Sequence, residues 1–393
     1  MTDFARNSVL GQEKIKQEIA KILESGRLGH AYLIAGPSGV GKKPLALAFA
    51  EAVNGVSHLT DMGQASFSTK SNWINHPDIH VFIPIPRGLT KTEFNARIRM
   101  LSEDPYAIID FANRPGLDDD SSKNRRAFYP IDYFREDVRP AFYLRPNEGR
   151  KNVIILTGIE NMHESASNAF LKVLEEPPED VLIIMTTDNL NALLPTILSR
   201  CQVLKCTGLS TTEIENGLVN RDGLSKDDAG YMARISGGNY AIARFWDVKQ
   251  VKSLRTDIVT FLRMSYTLDA SELLNLVAKW FDDNNTEGQV VILNLLEVFL
   301  KDIMVYMHTS NDSLLINSDQ IDVISRFVQS MGNANLDAMI AQIDEARMML
   351  KQNVNAKFVF TVIAIRFGYL MRGIETPISE SQPWLHLPAV KLS

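Results

Sequence analysis

The chain has 393 residues, 45% of them hydrophobic and 22% charged, with a formal net charge of -6. That size exceeds one ordinary core and suggests about two or three folded domains. The acidic balance excludes a surface that grips nucleic acid throughout and leaves room for local contacts alone.

The first residues, "MTDFARNSVLGQ", carry Asp3 and no apolar run, unlike a secretory leader. After a turn at Gly11, "QEKIKQEIAKILESG" sets Ile15, Ile19, Ile22 and Leu23 on one helical stripe that Gly26 closes. Next, "HAYLIAG" reads as a buried strand, "GPSGVGKK" as a glycine loop, and "PLALAFAEAV" as a helix. Strand, glycine loop, helix is the context that a phosphate-binding loop requires.

From about residue 84 to 150 the chain is rich in prolines, with broken helical pieces such as "KTEFNARIRMLSED" and an acidic triplet, Asp118 to Asp120, followed by "KNRR". It is read as an insertion, a solvated surface excursion with partial order. Two more buried-type strands follow, "NVIILTG" and "VLIIMTT", with the helix "ESASNAFLKVLEEPP" between them. Continuous apolar strands alternating with helices predict a parallel sheet covered on both faces. The expected domains are an α/β domain over 1–207, a small helical lid over 208–248, an all-helical domain over 249–375 and a tail over 376–393. Apolar stretches in the helical domain contain Glu297, Lys301 and Asp302, so no membrane span is expected. The two cysteines, Cys201 and Cys206, are too few for a disulfide framework and fit a reducing cytoplasm.

In the loop, Gly36, Gly39 and Gly41 would turn backbone N–H groups toward phosphate oxygens, and Lys42 would reach the outer phosphates. The next residue ordinarily supplies a hydroxyl to Mg²⁺; here it is Lys43, whose ammonium repels a metal. Hydrolysing enzymes of this class end a later strand in Asp-Glu, and the matching positions here are Thr157 and Gly158. Glu160 lies past the strand end. Thr186 and Thr187, at the end of the "VLIIMTT" strand, are read as fixing that end by hydrogen bonds.

"NAFLKVLEEPP" followed by "TTDNLNALLPTILSRCQ", with "GQ" and "HAYLIAGPSGVGK" upstream, resembles the AAA+ clamp-loader subunits of bacterial DNA polymerase III. The resemblance covers about residues 8 to 84 and 130 to 245, with a weaker echo at "IDEARMMLKQNVNAKFVFTVIAIRF". It implies an AAA+ P-loop domain with a parallel sheet, a helical lid and an all-helical C-terminal oligomerisation domain. The family includes ATP-hydrolysing motor subunits and a rigid, non-hydrolysing delta-prime member. This sequence departs from the motor pattern at Lys43, at Thr157 and Gly158, and after Gly237 and Gly238, where Ala241 or Ile242 stands in place of an arginine and Arg244 comes one turn later.

The departures imply a delta-prime-like subunit without intrinsic ATPase, with weak or absent ATP binding at the degenerate loop and no required cofactor. The resemblance further implies that Arg200, in "ILSRC", acts in trans as an arginine finger on a neighbour's ATP. Partners would be the other subunits of a hetero-oligomeric ring and, through the complex, the sliding clamp and primed DNA during replication. Related proteins often carry a four-cysteine zinc module before "HPD"; no cysteine stands there, and His58, His76 and His80 do not replace it, so no zinc is expected. A motor-type ATPase with a divergent site using Glu160, and a AAA+ adaptor in DNA repair, are the competing readings.

Overall fold

The computed structural model describes residues 4–60, 68, 70–111, 127–283, 286–352 and 354–374. The acidic triplet, the "KNRR" stretch and the 376–393 tail lie outside the described residues. The chain divides into two units, Met1–Trp246 and Asp247–Ser393.

In the first unit, α1 (Glu13–Ser25) precedes β1 (Ala31–Ala35), α2 (Lys42–Asn54), β2 (Ile79–Phe82) and α3 (Lys91–Glu103). Two short pieces, α4 (Ile131–Tyr133) and α5 (Arg139–Ala141), flank a π turn at Phe134–Val138. Then come β3 (Asn152–Leu156), α6 (Glu164–Glu175), β4 (Val181–Thr187), α7 (Pro195–Leu198) and β5 (Gln202–Lys205). The lid is α8 (Thr211–Asn220), α9 (Lys226–Ile235) and α10 (Tyr240–Phe245).

The five strands form one parallel sheet in the order β2-β3-β4-β1-β5. Every residue of β1, β3 and β4 is buried, as continuous apolar runs in a sheet covered on both faces require. This is the parallel α/β sheet with a helical lid expected from the sequence. Register aligns Ala35 with Thr187 on one side and Lys205 on the other, and Leu156 with Met185. The loops after β1, β3 and β4 therefore open side by side at the carboxyl edge, where open α/β sheets place their ligand crevice.

The described parts of the region from 84 to 150, 84–111 and 127–150, depart from the solvated excursion expected. Phe134, Val138 and Phe142 recur at helical spacing, are fully buried, and pack with Phe170 of α6 on the sheet face. The π turn falls just before Pro140, where a missing N–H interrupts the regular ladder. Upstream, α3 starts at a capping box between Thr90 and Glu93, and Leu101, Tyr106, Ile109 and Phe111 are buried. A proline-rich, charged composition concealed these apolar contacts because each is made to a distant segment.

Glu51 of α2 is fully buried and accepts N–H bonds from Leu59 at 2.6 Å and Trp73 at 2.9 Å. Burial pushes its carboxyl up from 4.5 to about 7, against those two bonds. A carboxyl raised on folding binds its proton more tightly in the native state. Its contribution is complete below about pH 4.5 and is lost as pH rises toward 7. We expect the unfolding free energy to fall by up to about 3 kcal/mol across that window on this group's account. Glu51→Gln should flatten the slope in urea titrations at stepped pH, and should cost about 1–3 kcal/mol because its NH₂ faces a backbone N–H.

The second unit is helical: α11 (Val248–Thr267), α12 (Ala270–Asp283), α13 (Thr286–Thr309), α14 (Ile321–Ser330), α15 (Leu336–Lys351) and α16 (Ala356–Leu370). Trp280 anchors it between Phe261 at 5.1 Å and Phe360 at 5.3 Å, centroid to centroid. Asp302, buried on α13, accepts the N–H groups of Ile316 and Asn317, both at 2.8 Å, which holds the connection to α14. Among the described residues, no helix is long and apolar enough to cross a membrane.

Candidate functional site

The glycine loop lies between β1 and α2, as its sequence context requires. Gly36 donates its N–H to Thr187 at 3.2 Å, which fastens the loop to the end of β4. Lys42, 7% exposed, turns back on its own loop. Its Nζ donates to the Gly36 carbonyl at 2.8 Å and to that of Pro37, and pairs with Asp188 Oδ1 at 2.6 Å. Lys43 Nζ meets Asp110 Oδ2 at 2.8 Å. Burial alone would raise the Asp110 carboxyl, but the Lys43 charge and hydrogen bond, with Arg97 beside them, hold it below the usual range. Both ammonium groups of the loop thus face carboxylates of this same chain.

The lid sits directly on the loop. Gly39 has φ 71°, and a Cβ there would lie 1.6 Å from Asn239 Oδ1, so a side chain is excluded by contact as well as by conformation. Asn239 caps α10 by accepting the Ile242 N–H at 3.0 Å, and the Ala241 N–H reaches the Gly39 carbonyl at 3.3 Å. The position where an arginine was expected therefore presents backbone to the loop. Arg244, one turn on, points elsewhere: its Nε bonds Asp222 at 2.7 Å and its Nη1 bonds both oxygens of Asp104, at 2.9 and 2.7 Å.

At the ends of β3 and β4, Gly158 has no side chain and the buried Thr157 hydroxyl has no hydrogen-bond partner among the described residues. Thr186 accepts the Gly158 N–H at 3.2 Å, and Thr187 exchanges hydrogen bonds with the Asn189 backbone. These bonds fix the strand ends. Glu160 accepts the Asp188 N–H at 3.0 Å and so ties one strand end to the next; burial raises its carboxyl despite that bond. A divalent cation does not fit this set, since an ammonium stands at the hydroxyl position and no acid ends β3. His76 accepts the Asp78 N–H, His58 leans on Glu51 at 3.5 Å, and no metal-binding group of three converges among the described residues.

Arg200 lies on another part of the surface. It follows α7, a short helix opened by Pro195, and its Nη2 pairs with Glu175 at the end of α6 at 2.9 Å. Its Nη1 donates to the Thr196 carbonyl at 2.9 Å. The two side chains are 34% and 50% exposed. "LEEPP" and "SRC" therefore meet in space: the acidic end of one motif holds the arginine of the other at the protein surface.

Asp188, Asn239, Tyr106, Asp110 and Asp104 were not singled out from the sequence. Asn239 was the most accessible of them, since an Asn before "YAIARF" is a helix N-cap signal. The other four are acids or a tyrosine in loops whose partners lie far along the chain.

A family model described as "DNA polymerase III, delta subunit" matches residues 11–210, and one described as "DNA polymerase III, delta subunit, C terminal" matches residues 249–368. The chain is similar to the DNA polymerase III subunit delta' of Bacillus subtilis, at 23% identity over 88% of this chain and 93% of that protein. It is also similar to the DNA polymerase III subunit gamma/tau of Mycobacterium tuberculosis, at 27% identity over 59% of this chain, spanning about a third (34%) of that longer protein. Among solved structures, a DNA polymerase III gamma subunit-related protein of Thermotoga maritima aligns with a TM-score of 0.42 and 14% identity, over 92% of this chain and 100% of that one. With its phosphate loop, its lid and both family matches in place, the chain belongs to the DNA polymerase III delta subunit family.

Proposed function

We propose that this chain is a non-hydrolysing, delta-prime-like subunit of a clamp loader, which helps place a sliding clamp on primed DNA and supplies Arg200 to the ATP site of a neighbouring subunit. One observation carries the reading: the chain's own loop is filled by its own carboxylates and lid, while Arg200 is held at the surface by a single exposed acid. A loop so occupied needs no cofactor and takes ATP weakly or not at all.

The partners in this reading are the sibling subunits of a hetero-oligomeric ring in the cytoplasm. Support comes from α16, where Phe358, Ile365 and Tyr369 share one helical face and are 65%, 45% and 40% exposed. Exposed Met348 on α15 adds to the apolar surface of this helical unit. Such residues on a helix face suit burial against another helical domain.

The purified chain should release no phosphate from ATP above background, with or without Mg²⁺, and should co-elute with sibling subunits in size-exclusion chromatography. Turnover by the isolated chain at a rate like that of motor subunits would favour the divergent ATPase reading instead.

A further inference from the structure

The acid at the end of α6 runs against the local chemistry of a helix. A helix C-terminus carries partial negative charge and favours cations in its last turn. Here Glu175 and Glu176 close α6, and Pro177 and Pro178 follow at once, so the chain leaves the helix at a fixed point. Two acids there cost helix stability unless a cation meets them. Arg200 meets Glu175 at 2.9 Å and joins α6 to the turn after α7.

The rest of that turn folds back on its own helix. Ser199 Oγ donates to the Thr196 carbonyl at 3.1 Å, and the Cys201 thiol reaches that of Ile197 at 3.2 Å. Arg200 Nη1 donates to the Thr196 carbonyl at 2.9 Å and to Ser199 Oγ at 3.3 Å. A guanidinium that turns to the carbonyl four residues behind it lies along the surface instead of reaching outward. Its Nε–H makes no hydrogen bond among the described residues, so one edge of the fork is left for an incoming acceptor.

We infer that Glu175 is a positioning residue for Arg200: it stows the guanidinium in the free chain, and its carboxylate competes for that group with a phosphate of the neighbouring subunit. The inference rests on the proposed reading that Arg200 acts on a neighbour's ATP. Carboxylate and phosphate are both strong acceptors for one guanidinium, and a carboxylate left 2.9 Å from the fork repels an arriving phosphate. Engagement therefore breaks the pair. Lys172, exposed on α6 one turn before Glu175, makes no ion pair among the described residues and is placed to take over the acid when Arg200 leaves. A neighbour that carries ADP offers no γ-phosphate, and Arg200 then stays with Glu175. The strength of this one exposed pair sets how readily the arginine engages.

The test titrates the full chain against the sibling ATPase subunit loaded with ATP, with a non-hydrolysable ATP analogue or with ADP. Glu175→Gln keeps the shape of the side chain and removes its charge. The concentration of this chain that gives half-maximal single-turnover hydrolysis should fall by about two- to fivefold, the range that loss of an exposed ion pair supplies, with no loss in the rate constant at saturation. Binding to the analogue-loaded sibling should tighten by the same factor, and binding to the ADP-loaded sibling should match wild type. Glu175→Ala, which removes the acceptor as well, should show at least the same change. In an Arg200→Ala background, Glu175→Gln should have no effect. A half-maximal concentration unchanged in both variants, a lower rate at saturation, equal tightening with ADP, or an effect that survives Arg200→Ala would each overturn the inference. If Arg200→Ala alone left hydrolysis and binding as in wild type, the proposed function itself would be overturned.

Discussion

Replacing Arg200 by alanine is expected to leave this chain folded and to silence an ATP site that belongs to another. In the free chain Arg200 touches Glu175 and the Thr196 carbonyl, both at 2.9 Å, and the pair is exposed. Such pairs contribute about 0–1 kcal/mol, so the variant should unfold within about 1 kcal/mol of wild type. The same weakness lets the guanidinium leave Glu175 for a phosphate at small cost. Arginine fingers are worth roughly 10³ to 10⁵ in rate where a γ-phosphate is transferred. Under the proposed function, single-turnover hydrolysis at the facing site of the reconstituted complex should fall by about that factor, while the complex still assembles. Arg200→Lys should recover little, because a point charge lacks the planar fork that meets two oxygens. Wild-type hydrolysis by an assembled Arg200→Ala complex would remove the trans role from the proposal.

A second large effect is expected at Gly39. A left-handed residue with a side chain costs about 1–2 kcal/mol. At Gly39 the new methyl would also meet Asn239 Oδ1 at 1.6 Å and push aside the cap of α10, adding about 1 kcal/mol. Gly39→Ala should therefore lower the unfolding free energy by about 2–3 kcal/mol. Gly237 offers an internal control, since its φ is 60° and nothing lies within 4 Å of a Cβ built there. Gly237→Ala should cost about 1–2 kcal/mol, from backbone strain alone. Urea unfolding of the two variants measures the difference, and equal costs would mean that the lid does not rest on the loop in solution.

The parts of the fold that could be read in advance were those with local signals. The largely apolar, fully buried strands β1, β3 and β4 and the glycine loop leave a mark in consecutive residues, and the structure places them as expected. "LEEPP" and "SRC" were each visible, and their meeting through Glu175 and Arg200 was not, because nothing in a helix end states which loop it will touch. The segment around Tyr106 was hidden for the same reason. Arg244 and Asp104 are 140 positions apart, and Lys43 and Asp110 are 67 apart. A charged residue that finds its partner over such distances looks, in sequence, like any solvated charge. Phe134, Val138 and Phe142 did carry helical spacing, but Pro140 lies between the last two and broke the pattern that would have revealed a core helix.

The position of β1 in the sheet also bears on synthesis. It lies between β4 and β5, and Gln12, just before α1, holds the Thr207 carbonyl at 2.6 Å across a separation of 195 residues. At about 5–20 residues added per second, β1 and the glycine loop wait roughly 10–40 s on the ribosome before their neighbours exist. Through that interval the strand AYLIA is an unpaired apolar edge. Pauses in translation between residues 36 and 181 should therefore lower the yield of folded protein more than pauses after residue 207.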